Sequence, residues 1–351
     1  MRFFLRLALV WALACAAVAP MMRAAETATT SASATAAAPA TAAKAPPRQV
    51  ELGLYILDIA DIDEPAGRFT IQVLLSTAWT DPTRAFEGTG PKIFREDAAV
   101  EEANAGWRSM SEFNRVAAPA ELNHSLLKIF PNGRVEFERQ MNVTLSAQLD
   151  LRRLPFDTQK LQIEVESFQH LADAMEYVLP KDNLRMTKRI SLQQWEPLSL
   201  TAEVAPVFRD VYQETYSRAT ATITVKRHFH FYLWQMIVPL VIVLAMAFAV
   251  FFLPPEDLSD RMSVIIASLL TVVALSYSLH SGLPKIPYLT IIDWLFVLAY
   301  VFLGLAMAGM VFISSLHQRD AAKAIRLDRW LRWAYPLAYV LVAGSVIAAA
   351  L

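Results

Sequence analysis

Four long apolar segments follow one another in the C-terminal third of the chain. They cover residues 231–253, 262–279, 291–316 and 333–351. Each is close to the roughly 20 residues that an α-helix needs to cross the hydrocarbon core of a bilayer. Because lipid offers the backbone no water for hydrogen bonds, segments of this kind must form helices. The sequence therefore predicts a four-helix membrane domain over residues 230–351.

Charged residues between the last two apolar segments predict the orientation of these helices. Five basic residues stand there against two acidic ones, and an excess of Lys and Arg is typical of the cytoplasmic side. With four spans, the preceding domain and the C-terminus then lie on the exported side of the membrane. The expected short cytoplasmic loop contains Arg319, Lys323, Arg326, Arg329 and Arg332.

The N-terminal residues predict export as well. Residues 1–24 place Arg2 and Arg6 before a short apolar run and small residues, which is typical of a signal peptide, with an anchor helix as the alternative. Residues 25–48 consist mostly of Ala, Thr, Ser and Pro and predict a disordered linker. The only cysteine, Cys15, falls inside the signal segment, so we expect no disulfide in the mature chain.

Residues 49–229 alternate with a period of two, which is typical of half-buried strands. Between residues 135 and 145 the apolar side chains point one way and the polar ones the other, with Arg139 as the exception. The same alternation recurs in residues 161–166 and 219–226, and a short helix is expected within residues 95–111. Many short strands separated by turns such as Pro131-Asn132-Gly133 favour an exported antiparallel β-sandwich, with a barrel as the alternative.

Composition narrows the class of protein further. The chain is 55% hydrophobic with a formal net charge of -1, which favours a membrane protein and argues against a nucleic-acid partner. The exported domain has neither a metal-spaced His/Cys cluster nor a Gly-rich phosphate loop. We therefore expect no cofactor and no metal, and a membrane-embedded enzyme is disfavoured.

The second apolar segment carries hydroxyl groups that lipid would not favour. We expect its helix to begin with Ser259 as the N-cap and to stop at Gly282. Ile265, Leu269, Val272 and Val273 fall on one face. The opposite arc suits either a helix-packing seam or a water-filled pore; its width and its acidic start favour the pore. The arc contains Asp260, Ser263, Ala267, Leu270, Thr271, Ala274, Tyr277 and Ser278.

Four motifs occur in a fixed order: Trp79-Thr80-Asp81-Pro82, Leu154-Pro155-Phe156-Asp157-Thr158-Gln159, Phe231-Tyr232-Leu233-Trp234 leading to Pro239, and Leu283-Pro284-Lys285-Ile286-Pro287-Tyr288. Together they resemble those of the pentameric ligand-gated ion channels, the Cys-loop receptor superfamily, and the resemblance extends from Val50 to Leu351. The family's disulfide and its large cytoplasmic insertion are both missing from this sequence, as in bacterial members.

This resemblance implies a homopentamer in lipid, with small-molecule agonist sites between neighbouring β domains and a pore lined by the second span. Converging Leu270 side chains would form a constriction that closes by dewetting. An acid followed by a base at Asp260-Arg261 implies conduction of monovalent cations, with Arg261 pointing away from the axis. The residues that the resemblance places on the axis are Asp260, Ser263, Ala267, Leu270, Ala274 and Tyr277.

The resemblance also implies an ion-paired cluster where the β domain meets the membrane. Asp157 and Arg227 match two of its positions, and the third is either Asp61 or Asp63. Arg suits this role because its planar guanidinium can hold carboxylates from two loops. Pro287, after the second span, would receive the motion.

Agonist binding is expected at aromatic residues: Trp107, Phe168, Tyr212 and Tyr216, whereas Trp79 is expected in the core. Such a cluster suits an amine through cation–π attraction. Gating by protons is the alternative, since histidine titrates near neutral pH; the candidates are His228, His230 and His280. The rival function is a non-conducting membrane receptor whose β domain binds a solute, which would not need the polar arc.

Overall fold

The computed structural model describes residues 46–188, 190, 192–254 and 256–350. The predicted signal peptide and most of the predicted linker lie outside the described residues. The first strand begins at Arg48, the last residue of that linker.

Eleven strands of the described residues form two packed sheets. One sheet has the order β3-β5-β6-β2-β1-β8, with β9 also paired to β1, and the other has the order β10-β11-β7-β4. Pairing is antiparallel except where β8 and β9 run parallel to β1. The predicted β-sandwich is therefore confirmed. The strands are β1 Arg48–Asp63, β2 Arg68–Thr80, β3 Lys92–Arg95, β4 Ser111–Phe113, β5 Val116–Ile129, β6 Arg134–Ser146, β7 Thr158–Ser167, β8 Met175–Val178, β9 Leu184–Met186, β10 Trp195–Arg209 and β11 Glu214–Arg227.

Alternation along the strands decides which side chains fill the space between the sheets. In β6 the buried residues are the five apolar ones at alternate positions, with Arg139 only partly exposed. β7 and β11 bury their apolar residues in the same way, and Trp79 of β2 is buried as predicted. Since successive side chains of a strand point to opposite faces, these residues form one core.

The predicted turn and helix are both present. Gly133 joins β5 to β6 with φ of +78°, and a Cβ there would lie 2.5 Å from the Asp81 carbonyl oxygen, so only glycine fits without strain. The Asp81 N–H donates to the Gly133 carbonyl at 2.8 Å. Helix α1, Asp97–Asn104, lies where a short helix was expected.

Four helices of the described residues are long and apolar enough to cross a membrane: α2 His230–Phe252, α3 Leu258–Ser281, α4 Ile291–His317 and α5 Ala321–Ala350. α2 contains a π turn over Leu233–Ile237, directly before Pro239. A proline lacks the N–H for the carbonyl four residues earlier and clashes with it, and the wider turn accommodates the ring. α4 begins with a capping box in which the Thr290 and Asp293 side chains bond each other's backbone N–H.

Two helix starts differ from prediction. α5 begins at Ala321, so Lys323, Arg326, Arg329 and Arg332 lie on a helix and the basic segment is not a loop. Arg and Lys are good helix formers, and Ala324 between them is fully buried, so packing extends the helix. α3 begins at Leu258 with Asp257 as its N-cap residue, so Ser259 is not the cap; Gly282 follows its last residue as expected.

Candidate functional site

A buried ion pair lies where the β domain meets the membrane helices. Arg227 is the last residue of β11, and Asp157 directly precedes β7, which pairs with β11. Arg227 Nε donates to Asp157 Oδ1 at 2.7 Å and Nη2 donates to Oδ2 at 3.1 Å. The two side chains are 0% and 2% exposed. The pairing expected between these two residues is therefore present.

The third member of this cluster is Glu64, so the expectation of Asp61 or Asp63 is wrong for the pairing. Arg227 Nη1 donates to Glu64 Oε1 at 2.5 Å. Ile62 and Glu64 are both buried, because alternate residues at the end of β1 point inward. Asp63 instead binds Arg68 at the surface and Asp61 is exposed. The alternation in Asp61-Ile62-Asp63-Glu64 is the signal that could have identified the inward acid, because Glu64 shares the inward direction of the apolar Ile62.

Aromatic groups enclose the Arg227 guanidinium and connect it to α2. Its carbon lies 4.1 Å from the centre of the Trp195 ring, and Nη1 donates to the Tyr232 hydroxyl at 3.1 Å. Burial by itself lowers the pKa of Arg227, but the hydrogen bonds to Asp157 and Glu64 outweigh it and raise that pKa. The arginine is therefore held charged, and it joins three β-domain segments to the first turn of α2.

A second contact joins the loop between β6 and β7, which contains Pro155-Phe156-Asp157, to the segment after α3. The Leu151 N–H donates to the Tyr288 hydroxyl at 3.1 Å, and the Ile291 N–H donates to the Arg152 carbonyl at 3.2 Å. The Arg152 guanidinium lies 4.9 Å from the centre of the Tyr288 ring. Pro287 is exposed beside Tyr288. Tyr288 and Ile291 make contacts with the β domain that the sequence did not identify.

The predicted pore arc of α3 is exposed on the single subunit. Leu270 is 63% exposed and Tyr277 is 78% exposed, whereas Ile265 and Val272 on the other face are buried. Ser263 and Thr271 donate to the carbonyls of Ser259 and Ala267, four residues earlier. These two hydroxyls are satisfied within the helix, so the charge of Asp260 distinguishes the arc from a lipid face more strongly than they do. The remaining exposed members are Asp260, Ser263, Ala267, Thr271, Ala274 and Ser278.

Three of the four aromatic candidates lie on two segments that contact each other. Tyr212 stands in the β10–β11 hairpin, is 57% exposed, and has its ring 6.3 Å from that of Tyr216, which is buried. Phe168, in the loop after β7, is 43% exposed. The Ala172 N–H of that loop donates to the Thr215 carbonyl of β11 at 2.8 Å.

Trp107 is already covered by other side chains of the same subunit. The Arg48 guanidinium lies 4.2 Å from the centre of its ring, the His170 ring stacks on it at 4.9 Å, and Trp79 meets it edge-on at 5.7 Å. The Arg48 guanidinium therefore already makes the cation–π contact that Trp107 was expected to offer an amine. Among the candidates, Phe168 and Tyr212 are the more accessible.

A buried acid beneath the hairpin was missed by the sequence analysis. The Glu166 side chain is fully buried in β7 and accepts from Arg209 of β10, Arg218 of β11 and Asn114. Burial raises the pKa of a carboxyl group, but the hydrogen bonds from these three residues outweigh it, and the pKa of Glu166 lies below its usual value. Glu166 therefore holds both strands of the hairpin at their base.

Comparison with known proteins assigns both domains to one family. The neurotransmitter-gated ion-channel ligand binding domain matches residues 35–229, and the corresponding transmembrane region matches residues 236–327. The short segment between the two matched ranges contains Tyr232, the residue through which Arg227 contacts α2.

Similar proteins include both proton-gated and transmitter-gated channels. A proton-gated ion channel from Gloeobacter violaceus is 24% identical over 84% of this chain and 81% of its own length. A γ-aminobutyric acid receptor subunit β-4 from Gallus gallus is 22% identical over 76% of this chain and 55% of its own. The serotonin-gated chloride channel mod-1 from Caenorhabditis elegans is 24% identical over 81% and 59%. With both domains matched in order, the chain belongs to the neurotransmitter-gated ion channels, the pentameric ligand-gated superfamily.

Proposed function

We propose that the protein is an agonist-gated channel for monovalent cations, formed by five identical subunits around α3. The exposed arc of α3 carries this proposal. Only 22% of the α3 span is buried within the subunit, against 39% for α2 and for α4. Its exposed face begins with the carboxylate of Asp260 and, apart from Leu270, the predicted pore arc continues with small or hydroxylated residues, which suit a water-filled axis better than lipid.

Cation selectivity rests on Asp260, in the first turn of α3. Five carboxylates around an axis repel one another, and a passing cation relieves that repulsion while an anion does not. Glu256 and Asp257, both exposed, extend the negative potential toward the cytoplasm. Because the similar proteins include a chloride channel, membership of the family leaves the charge preference open.

The agonist site that we propose lies at the exposed face of the hairpin and the neighbouring loop, with Tyr212 and Phe168 as the contact residues and Tyr216 behind Tyr212. Accessible aromatic rings suit an amine through cation–π attraction, worth about 0.5–2 kcal/mol per contact. Proton gating is the second candidate, favoured by one specific contact: His280 Nε2 of α3 lies 3.2 Å from Asp293 Oδ1 of α4. In the membrane of a bacterial cell, the β domain and the C-terminus would face the periplasm.

The test is the current that the purified protein carries in planar bilayers, with amines and pH steps applied on the β-domain side. Asp260→Asn keeps the size of the side chain while it removes five charges. We expect the wild type to prefer cations, and the variant to lose conductance and part of that preference, measured as the reversal potential under a salt gradient. Anion preference in the wild type, or an unchanged reversal potential in Asp260→Asn, would overturn the selectivity. A protein that carries no current under any condition would favour the non-conducting receptor.

A further inference from the structure

A second buried ion pair joins the first turn of α3 to α5. Arg261 Nη1 donates to Asp328 Oδ1 at 3.0 Å, and Nη2 donates to Oδ2 at 3.1 Å. The two side chains are 1% and 5% exposed. Two parallel hydrogen bonds between a guanidinium and a carboxylate form the strongest kind of side-chain pair and fix the orientation of both groups. Arg261 is thereby held inside its own subunit.

The same cluster holds the end of α2. Arg261 Nη2 also donates to the Leu253 carbonyl, and Arg332 Nε donates to the Phe251 carbonyl at 3.1 Å. The last carbonyls of a helix have no partner within that helix and carry partial negative charge, so cations suit this position. Arg332 Nη2 lies 4.0 Å from Asp328 Oδ2. Asp328 therefore lies between two arginines, and its bidentate partner is Arg261.

Apolar side chains surround this cluster and keep salt away from it. Val250, Phe251, Ile265 and Ala324 are buried there and pack together. Mobile ions screen exposed charges over about 10 Å at 0.1 M salt, but they screen buried charges much less. An Arg261 without its carboxylate would therefore act on its sequence neighbour, the exposed Asp260, with less screening by salt than a surface cation would.

We propose that Asp328 determines charge selectivity through Arg261, as a positioning residue on a helix that does not line the pore. By neutralising Arg261, it leaves one uncompensated negative charge, that of Asp260, in the first turn of α3 in each subunit. Without Asp328, the five Arg261 cations would offset the five Asp260 carboxylates. This inference rests on the proposed channel function, and it makes α5 a participant in ion selection.

The test compares reversal potentials of four proteins under one salt gradient: wild type, Asp328→Asn, the double variant Arg261→Gln with Asp328→Asn, and the control Asp320→Asn. We expect Asp328→Asn to lose most of the cation preference. The double variant should regain it, because it removes the buried cation together with its partner. Asp320 is also acidic and also close to the start of α5, but its partner is the exposed Lys323 at 2.7 Å, so its variant should match the wild type.

The outcomes separate this inference from the proposed function. Wild-type selectivity in Asp328→Asn overturns the inference alone, as does a double variant that stays as unselective as Asp328→Asn. If Asp328→Asn does not assemble, as judged by size-exclusion chromatography, the double variant decides: assembly with wild-type selectivity supports the inference, and altered selectivity overturns it. An anion-selective wild type overturns the proposed cation preference, while a further shift toward anions in Asp328→Asn would still support the role of Asp328. A wild type that carries no current overturns both.

Discussion

Leu270 is the large apolar residue on the predicted pore arc between Ala267 and Ala274, and 63% of it is exposed on the isolated subunit. Five such side chains meeting on an axis would leave too little polar surface for water to remain in the closed pore. This is the physical basis for placing the gate at Leu270.

Leu270→Ser should make the channel easier to open and leaky without agonist, because hydroxyl groups stabilise water in the constriction. Full burial of one leucine side chain is worth about 1.5–3 kcal/mol. Half of that, about 0.8–1.5 kcal/mol, would lower the half-maximal agonist concentration roughly fourfold to twelvefold. The measurement is the dose–response curve together with the current before agonist. Val241→Ser on α2, an apolar position that is 55% exposed on the subunit but lies off the predicted axis, is the control; equal effects at both positions would mean that Leu270 is not the gate.

Glu166 permits a prediction of pH dependence. Since its pKa in the folded protein is below the usual value, its contribution to stability is fully present above the unfolded pKa of about 4.3 and is lost as pH falls through the lower folded value. Glu166→Gln should therefore lower the unfolding temperature at pH 7, and the difference from wild type should shrink below about pH 4.

Circular dichroism melts at neutral and acidic pH measure this difference. Glu176→Gln, an exposed position on β8, should melt like the wild type at every pH. A Glu166→Gln deficit that persists unchanged at the lowest pH would show that the lost stability comes from packing and not from charge. If instead the deficit vanishes already between pH 5 and 7, the assigned direction of the pKa shift is wrong.

At the scale of elements, the junction consists of strand ends and helix starts held by one arginine. Arg227 closes β11, Asp157 precedes β7, Glu64 follows β1, and Tyr232 belongs to α2. Because the pair is buried, the loss of one partner leaves an uncompensated charge, at a cost of about 3–5 kcal/mol. The cluster therefore ties three β-domain segments to α2, as the proposed transmission of movement from the β sheets would require.

Arg227→Ala should abolish or sharply weaken gating while agonist binding stays close to wild type, because the link between the domains is lost and the aromatic site is not. Glu64→Gln should weaken gating less, since Arg227 keeps Asp157; a hydrogen bond to a charged group is worth about 1.5–3 kcal/mol. Asp63→Asn is the matched control, because Asp63 contacts only exposed Arg68 among its described ion pairs.

Equilibrium binding and current, measured on the same purified pentamers, separate coupling from assembly. Parallel losses of binding and current in Arg227→Ala would count against a coupling role. A stronger effect of Asp63→Asn than of Glu64→Gln would contradict the assignment of Glu64.

At the scale of the whole molecule, the polar character of the exposed α3 arc is the property that favours assembly with further copies of the chain. α5 is also little buried, with 17% of its span inside the subunit, but its exposed residues include Leu337, Val340 and Leu341, which suit lipid. The arc of α3 combines a carboxylate with small residues. In an assembly around α3, that arc would line a water-filled pore. The exposed faces of α2 and α5 would contact lipid or a neighbouring subunit.

Cysteine substitution distinguishes these surroundings. A cysteine at Ala274 should react quickly with a water-soluble thiol reagent applied to the open channel and should block its current. A cysteine at Val241 of α2, which is 55% exposed on the single subunit, should react slowly because lipid or protein covers it. The only natural cysteine, Cys15, lies in the predicted signal segment, so the background is low. Equal reaction at both positions would contradict a pore along α3.

Local patterns by themselves determined the class of protein. Runs of about 20 apolar residues identify the four helices, and alternation in β6, β7 and β11 identifies the sandwich, because both signals depend only on the geometry of a single helix or strand. The strands and the four long helices of the structure confirm the fold that these signals predicted. The pairing of Asp157 with Arg227, by contrast, was expected from the family resemblance and not from a local pattern.

Only the tertiary structure decided which charges meet. Glu64 and not Asp63 binds Arg227, because at the end of β1 the Glu64 side chain points inward. Trp107 is covered by Arg48, which lies far from it in sequence. Arg261 and Asp328 are separated by 67 positions, and no local pattern relates them. The free energy of a buried ion pair depends on distance, orientation and exclusion of water, and these are properties of packed elements that a single segment does not possess.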